Sequence, residues 1–127
     1  MAVTHALAFR SSLASLCNSA LGTSGRLVFR VGGTVDAPGS AAANLTLSAN
    51  AGTVNNGTLT FGNITSDTNA TGNASAVSVA TLEAANGTVV CQCNVAASAS
   101  DINMSGGLTI SAGDTVSCSS LTYNAPA

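Results

Sequence analysis

Lysine and tryptophan are absent from this 127-residue chain, which holds only three arginines, one histidine and four aromatic residues of the phenylalanine and tyrosine types. Charged residues make up 6% of the chain, and its formal net charge is −2. A nucleic-acid-binding protein needs clustered basic residues to displace counterions from phosphates, so we expect no nucleic-acid partner. Disordered chains usually combine high net charge with low hydrophobicity, whereas hydrophobic residues here reach 46%.

Export and membrane signals are also missing from the sequence. A secretory signal needs a basic start and an unbroken apolar segment, but His5 and Arg10 interrupt the first apolar stretch. No run approaches the roughly 18 apolar residues of a membrane-spanning helix. We therefore expect synthesis in the cytoplasm and no membrane partner. Because a crowded monomer normally carries more charge for solubility, the low charge favours a subunit that packs against neighbours.

Catalytic and cofactor-binding patterns are scarce as well. His5 is the sole histidine, and the five acidic residues are scattered along the chain. There is no phosphate-binding loop, and the cysteines lack the paired spacing that structural zinc sites favour. We expect neither an enzyme nor a cofactor.

Residues 4–21 carry the helical pattern of the chain. Apolar residues recur there at spacings of three and four, which places them on one stripe of a helix: Ala2, Ala6, Phe9, Leu13, Leu16 and Ala20. Thr4 is the expected N-cap, and Gly22 is expected to end the helix in a left-handed conformation. Two interpretations of the stripe stay open. It packs on the protein's own sheet, or it is an arm that docks on a neighbouring subunit.

Beyond Gly22 the periodicity changes from helical to alternating. Residues 26–31 place three apolar side chains on one face and Arg26 and Arg30 on the other. Asn86-Gly87 predicts a type I′ hairpin turn between strands 76–84 and 88–95. Similar alternation predicts further strands near residues 45–47, 59–61 and 108–110 and a last strand over 115–123, with longer loops at 32–44 and 63–75.

We therefore expect a mainly β fold, an antiparallel β-sandwich or jelly-roll-like barrel of about seven or eight short strands with one N-terminal α-helix. The length fits a single domain over residues 1–127, with a helix or arm at 1–22 and the sandwich at 23–127.

Four cysteines are candidates either for core thiols or for disulfides. Cys91 and Cys93 share a strand face with two valines, Cys118 is predicted to share one with Val116, and Cys17 flanks the helical stripe. In one interpretation the cysteines are small hydrophobic side chains of the core. In the other interpretation they form disulfides late, within or between subunits. The even count permits two bonds, which four cysteines can form in three ways. Cys91 and Cys93 make a poor mutual pair because same-face neighbours sit near the limit of disulfide reach.

Three segments together resemble small virion proteins of tailed bacteriophages. These are the opening residues 1–6 followed by a short helix, the strand over 26–30, and the ending over 111–123; Leu59-Thr60-Phe61, followed by a polar loop, fits the same layout. The similarity is to head decoration, or cement, proteins and other exterior components of the particle. It implies a β-rich multimeric subunit without enzymatic activity.

From this resemblance we expect a capsid decoration protein, a homotrimer on the exterior of a particle assembled in the bacterial cytoplasm. Its partners would be the major capsid protein, other virion subunits and copies of itself. The alternative is a tail-surface or fibre-base protein involved in attachment. The residues expected to make the contacts are Ala6, Phe9, Arg10, Leu13, Leu16, Arg26 and Arg30.

Overall fold

The computed structural model describes residues 3–47, 52–104 and 106–126. The expected mainly β fold with one N-terminal helix is confirmed. These residues form nine strands, slightly more than expected. The elements are α1 Leu7–Leu21, β1 Arg26–Gly33, β2 Pro38–Leu47, β3 Gly52–Asn55, β4 Thr58–Phe61, β5 Ile64–Thr65, β6 Val79–Glu83, β7 Val89–Ala96, β8 Ile102–Asn103 and β9 Thr122–Asn124.

The strands form two sheets. A six-stranded, curled sheet has the order β5-β2-β1-β6-β7-β8, and a small sheet has the order β3-β4-β9. Neighbouring strands are antiparallel except β7 and β8, which pair in parallel. Strand β6 is buried along its whole length, including Thr81 and Glu83, and β1 is buried over residues 27–29.

The stretch 32–44, expected to be a loop, is mostly strand. After β1, Gly32 and Gly33 both take positive φ, and the chain turns back so that Gly33 pairs with Pro38. A Cβ at Gly33 would lie 2.1 Å from the nitrogen of Gly39, so no side chain fits this turn. Strand β2 starts with small residues of low strand propensity. It forms because β1 supplies a pairing partner, and such tertiary context overrides β propensity.

Hairpin turns follow the Asn-Gly dipeptides, though not as predicted. Asn86-Gly87 does connect β6 to β7, but only Gly87 has positive φ, and its N–H donates to the Ala84 carbonyl at 2.9 Å. The type I′ prediction is therefore wrong for this turn. The type I′ signature belongs to the β3–β4 hairpin, where Asn56 and Gly57 have φ of 52° and 78°.

The boundaries of α1 and of the last strand also differ from expectation. The helix begins at Leu7 behind Ala6, which makes no side-chain cap hydrogen bond, so Thr4 is not its N-cap. Gly22 ends it with φ 71° and ψ −154°, outside the left-handed helical region. Segment 115–123 is not one strand: Val116 makes an isolated bridge with Asp67, and β9 starts only at Thr122.

One hydrophobic cluster joins α1 to both sheets. Its largest fully buried members come from α1, β1, β2, β4 and the segment before β6: Leu21, Leu27, Leu45, Leu59 and Val77. The apolar side of the Arg26–Val31 alternation faces this cluster, as predicted for Leu27 and Phe29.

Candidate functional site

Helix α1 packs on the rest of the protein through a stripe displaced by one residue from the predicted one. Its buried residues are Ala14, Cys17 and Leu21, with Arg10 half-buried one turn earlier. Consecutive helical residues are about 100° apart, so the predicted stripe lies beside the buried one. The interpretation that the helix packs on the protein's own sheets is confirmed, since α1 contacts β3, β4 and β7. It does so through the neighbouring stripe, and of the predicted stripe Leu13 packs partly against the hydrophobic cluster.

The predicted stripe instead forms an exposed surface, which we call the α1 outer face and define as Ala6, Phe9, Leu13 and Leu16. Phe9 is 51% exposed and Leu16 is 65% exposed, while Leu13 is half-buried. Helical residues three and four apart are neighbours, so these side chains are contiguous. The His5 ring lies beside Phe9, with centroids 5.2 Å apart. Contiguous exposed apolar side chains are more informative than scattered ones, because they often mark contact sites.

The β3–β4 hairpin holds the opposite side of the helix in place. The Gly57 N–H donates to the Ser11 hydroxyl at 2.9 Å, and the Asn18 amide donates to the Gly52 carbonyl at 3.3 Å. A Cβ at Gly57 would lie 3.1 Å from the Cβ of Arg10. The helix is thus positioned by close backbone approach and by hydrogen bonds, independently of its outer face.

The three arginines predicted to make contacts differ in their surroundings. Arg30 is engaged within the protein: its guanidinium lies 2.6 Å from the Glu83 carboxylate and donates to the Thr81 hydroxyl at 3.1 Å and the Gly39 carbonyl at 2.8 Å. The Arg30 side chain is only 15% exposed, so its charge is compensated internally. We therefore remove it from the candidate contact residues.

Arg26 and Arg10 retain more freedom than Arg30. The Arg26 guanidinium donates to the Ala85 carbonyl at 3.1 Å. Arg10 continues the buried stripe one turn before Ala14, and its buried Nε has no hydrogen-bond partner among the described residues. Of the three arginines, Arg10 is the one on α1, beside Phe9 in the sequence.

All four cysteines are free thiols, and each lies in or against the hydrophobic cluster. Cys17 is buried, and Cys91, Cys93 and Cys118 are half-buried. Cys118 donates to the Ser120 carbonyl at 3.2 Å. Cys118 does not lie in a strand with Val116, contrary to the prediction.

Cys17 and Cys91 belong to elements that pack together, α1 and β7, although no sequence pattern linked them. A hydrogen bond between the two thiols, aided by burial, raises the pKa of Cys17 strongly, and the same hydrogen bond lowers the pKa of Cys91. Burial raises the pKa of Cys93 to about 11. Burial and both neighbouring thiols, Cys17 and Cys91, raise the pKa of Tyr123 on β9. The thiol pair thus sits where α1, β7 and β9 meet.

An open cleft of about 760 Å³, distant in sequence from the helix, is lined by residues from 101–104, 106–110 and 114–122. Its lining mixes hydroxyl, glycine and amide residues with apolar ones such as Phe29 and Ile110, and Asp101 and Asp114 are its acids. Within the described ranges, no group of three or more metal-ligating side chains comes together. In the residues that the structure describes, no helix has the length and apolarity to cross a bilayer.

No protein-family model, curated protein or solved structure matches this chain.

Proposed function

We propose that this protein is a non-enzymatic structural subunit of a bacteriophage particle that decorates the exterior of the capsid and bridges capsid subunits. The observation that supports this most is the α1 outer face. Phe9 and Leu16 are more than half exposed, on a helix that is anchored by its other side. A firmly held helix with a free apolar stripe is suited to bind a groove on a partner.

The free energy available from this face sets the kind of binding to expect. Full burial of a large apolar side chain contributes roughly 1.5–3 kcal/mol, so covering the exposed parts of Phe9 and Leu16 contributes roughly 2–3 kcal/mol together. Association costs at least about 4 kcal/mol in lost freedom. One such face therefore binds weakly unless further surface, toward the ~1,600 Å² of a standard interface, is also buried. Repetition over a lattice, or a trimer with three faces, makes weak contacts effective through multivalency.

Low charge has a second consequence for the proposed assembly. Copies with a net charge of −2 repel one another little. Because the contact is apolar, we expect binding to particles to be nearly independent of salt, unlike binding by charged surfaces, which weakens as salt screens it.

The decisive experiment adds recombinant protein to purified particles that lack it and measures copy number by quantitative gel staining. We expect copies in proportion to the major capsid protein, and a mass of three chains by light scattering in solution. Fewer than roughly one copy per ten capsid subunits would contradict decoration and favour the tail-surface or fibre-base alternative, since closed symmetric assemblies there hold few copies.

Substitutions on the α1 outer face test whether particle binding depends on it. Phe9→Ser and Leu16→Ser should each lower particle occupancy at least tenfold while leaving the unfolding midpoint unchanged. Val35→Ser is the matched control, because Val35 is also exposed, at 41%, but lies in the turn between β1 and β2. Equal occupancy for all three variants would refute the assignment of the contact to α1.

A further inference from the structure

Two thiols from distant parts of the chain lie in or against the same hydrophobic cluster. Cys17 belongs to α1 and is 6% exposed, and Cys91 belongs to β7 and is half-buried. The two elements pack together, with Cα atoms within 8 Å of each other. We propose that Cys17 and Cys91 form a redox-active dithiol that closes to an intramolecular disulfide and joins α1 covalently to the large sheet.

Accessibility and acidity determine which thiol reacts first. Cys91 is the more accessible of the two, and hydrogen bonding from Cys17 lowers its pKa. The thiolate is the reactive form of cysteine, so Cys91 is the attacking group. Cys17 is shielded from solvent and its pKa is raised, so it reacts only with a sulfur already held beside it.

The oxidant is a low-molecular-weight disulfide, for which oxidised glutathione serves as the probe. The Cys91 thiolate attacks one sulfur of glutathione disulfide, the S–S bond of the reagent breaks, and one glutathione thiolate leaves. Cys17 then loses its proton to that thiolate and attacks the Cys91 sulfur, releasing the second glutathione as a thiolate that takes up the proton originally on Cys91. The two protein thiols are oxidised, and one glutathione disulfide is reduced to two glutathione thiols.

The other cysteines are less suitable partners. Gly25 lies against both Leu21 at the end of α1 and Glu83 at the end of β6. Cys91 is opposite Leu82, beside that end of β6, whereas Cys93 lies farther along β7, opposite Ala80. The Cys93 thiol also donates to the Ala80 carbonyl at 3.7 Å. Cys118 donates to the Ser120 carbonyl and contributes to neither thiol's pKa shift. The geometry thus favours Cys91 among the three possible partners of Cys17.

The proposed bond would have a measurable effect on stability. It closes a loop of about 75 residues, for which restriction of the unfolded chain predicts substantial stabilisation. We expect oxidation to raise the unfolding midpoint by roughly 5–15 °C, less if the bond strains the native geometry. Since α1 would then be tied to β7, the gain should appear in the global transition of the full chain.

The sequence makes this bond straightforward to map. Trypsin cleaves only after the three arginines, so Cys17 is isolated in peptide 11–26 and the other three cysteines stay in peptide 31–127. After treatment of the full-length protein with oxidised glutathione, we expect an intact mass lower by two hydrogen atoms. Peptide 11–26 should remain linked to peptide 31–127 until a reductant is added.

Serine variants identify the partner of Cys17. The double variant Cys93→Ser/Cys118→Ser keeps only the proposed pair, and it should form the bond and gain thermal stability at the wild-type level. Cys91→Ser should abolish the link, and Cys17→Ser should accumulate a glutathione adduct on Cys91. A Cys91–Cys93 bond, a link that survives Cys91→Ser, or a double variant that stays reduced would overturn the proposal.

Discussion

The buried ion pair between Arg30 and Glu83 offers the sharpest test of what stabilises this fold. The Arg30 guanidinium bridges β1 to β6 and donates to the Glu83 carboxylate, the Thr81 hydroxyl and the Gly39 carbonyl of β2. The Thr81 hydroxyl in turn donates to the same carboxylate. The side chains of Glu83 and Arg30 are only 4% and 15% exposed. Three adjacent strands are thus connected by one polar network.

The perturbation is Glu83→Gln, which preserves the shape of the side chain and removes its charge. Breaking a buried pair from one side leaves an uncompensated charge and costs about 3–5 kcal/mol. The slight exposure of Arg30 places our expectation at the lower end, about 3 kcal/mol. That is a large fraction of the 5–15 kcal/mol typical of the free energy of unfolding of a small protein.

Urea unfolding followed by far-UV circular dichroism is the suitable assay, because the chain has no tryptophan. For a urea dependence of about 1.5 kcal/mol per molar, the midpoint should fall by about 2 M. Asp36→Asn is the control, since Asp36 is exposed and the substitution also converts a carboxylate to an amide. A Glu83→Gln midpoint equal to that of the control would refute the reasoning. The double variant Arg30→Met/Glu83→Leu should be less destabilised than Glu83→Gln, because it removes both charges.

Three further outcomes are expected. Gly57→Ala should destabilise by about 1–2 kcal/mol in urea, because an alanine is strained at φ 78° and its Cβ would crowd the helix. Leu21→Ala should cost about 3 kcal/mol as a core truncation, whereas Leu16→Ala should cost less than about 0.5 kcal/mol on the same measurement. Iodoacetamide should label Cys91 at a lower pH than Cys93, which should react only as the pH approaches about 11; intact mass of single serine variants follows the labelling.

Each of these three predictions can be contradicted by a specific result. An unchanged midpoint for Gly57→Ala would mean that the hairpin tolerates a side chain, and equal losses for Leu21→Ala and Leu16→Ala would mean that both faces of α1 are packed. Coincident labelling profiles would contradict the different thiol surroundings. Because the pKa of Cys93 is raised from 9.0 to about 11, the unfolded chain loses this proton first, so stability should fall as pH rises through that window.

Sequence patterns predicted the strands whose side chains alternate, and for a physical reason. In β1 the apolar and arginine faces can be read directly, since successive strand residues point to opposite sides. The start of β2, with Gly39 and Ser40, has no such alternation and forms only because β1 lies alongside. Likewise, the strand predicted near 108–110 does not form, and the Leu108 and Ile110 carbonyls accept only isolated hydrogen bonds, at 2.8 Å.

The orientation of α1 illustrates what periodicity leaves open. Two apolar stripes run side by side on the helix. The periodicity indicated the bulkier one, with Phe9 and Leu16, as its apolar face. The buried stripe is the one with the small residues Ala14 and Cys17. Small side chains let the helix lie close to the β3–β4 hairpin, where Gly57 also lacks a side chain. Which stripe is buried thus depends on the surface beneath the helix, and helical periodicity does not contain that information.

The positions of the thiols likewise could be predicted only in part from the sequence. That Cys91 and Cys93 would lie against the core followed from their position on the same face of β7 as Val89 and Val95. That Cys17 would meet Cys91 depends on the rotation of α1, because the displaced stripe is what brings residue 17 inward. The rotation that buries Cys17 also leaves Phe9 and Leu16 exposed. The proposed disulfide and the proposed contact surface therefore arise from one structural feature. A variant that rotated the helix by one residue would lose both, whereas Leu16→Ser should lower particle occupancy at least tenfold and leave disulfide formation intact.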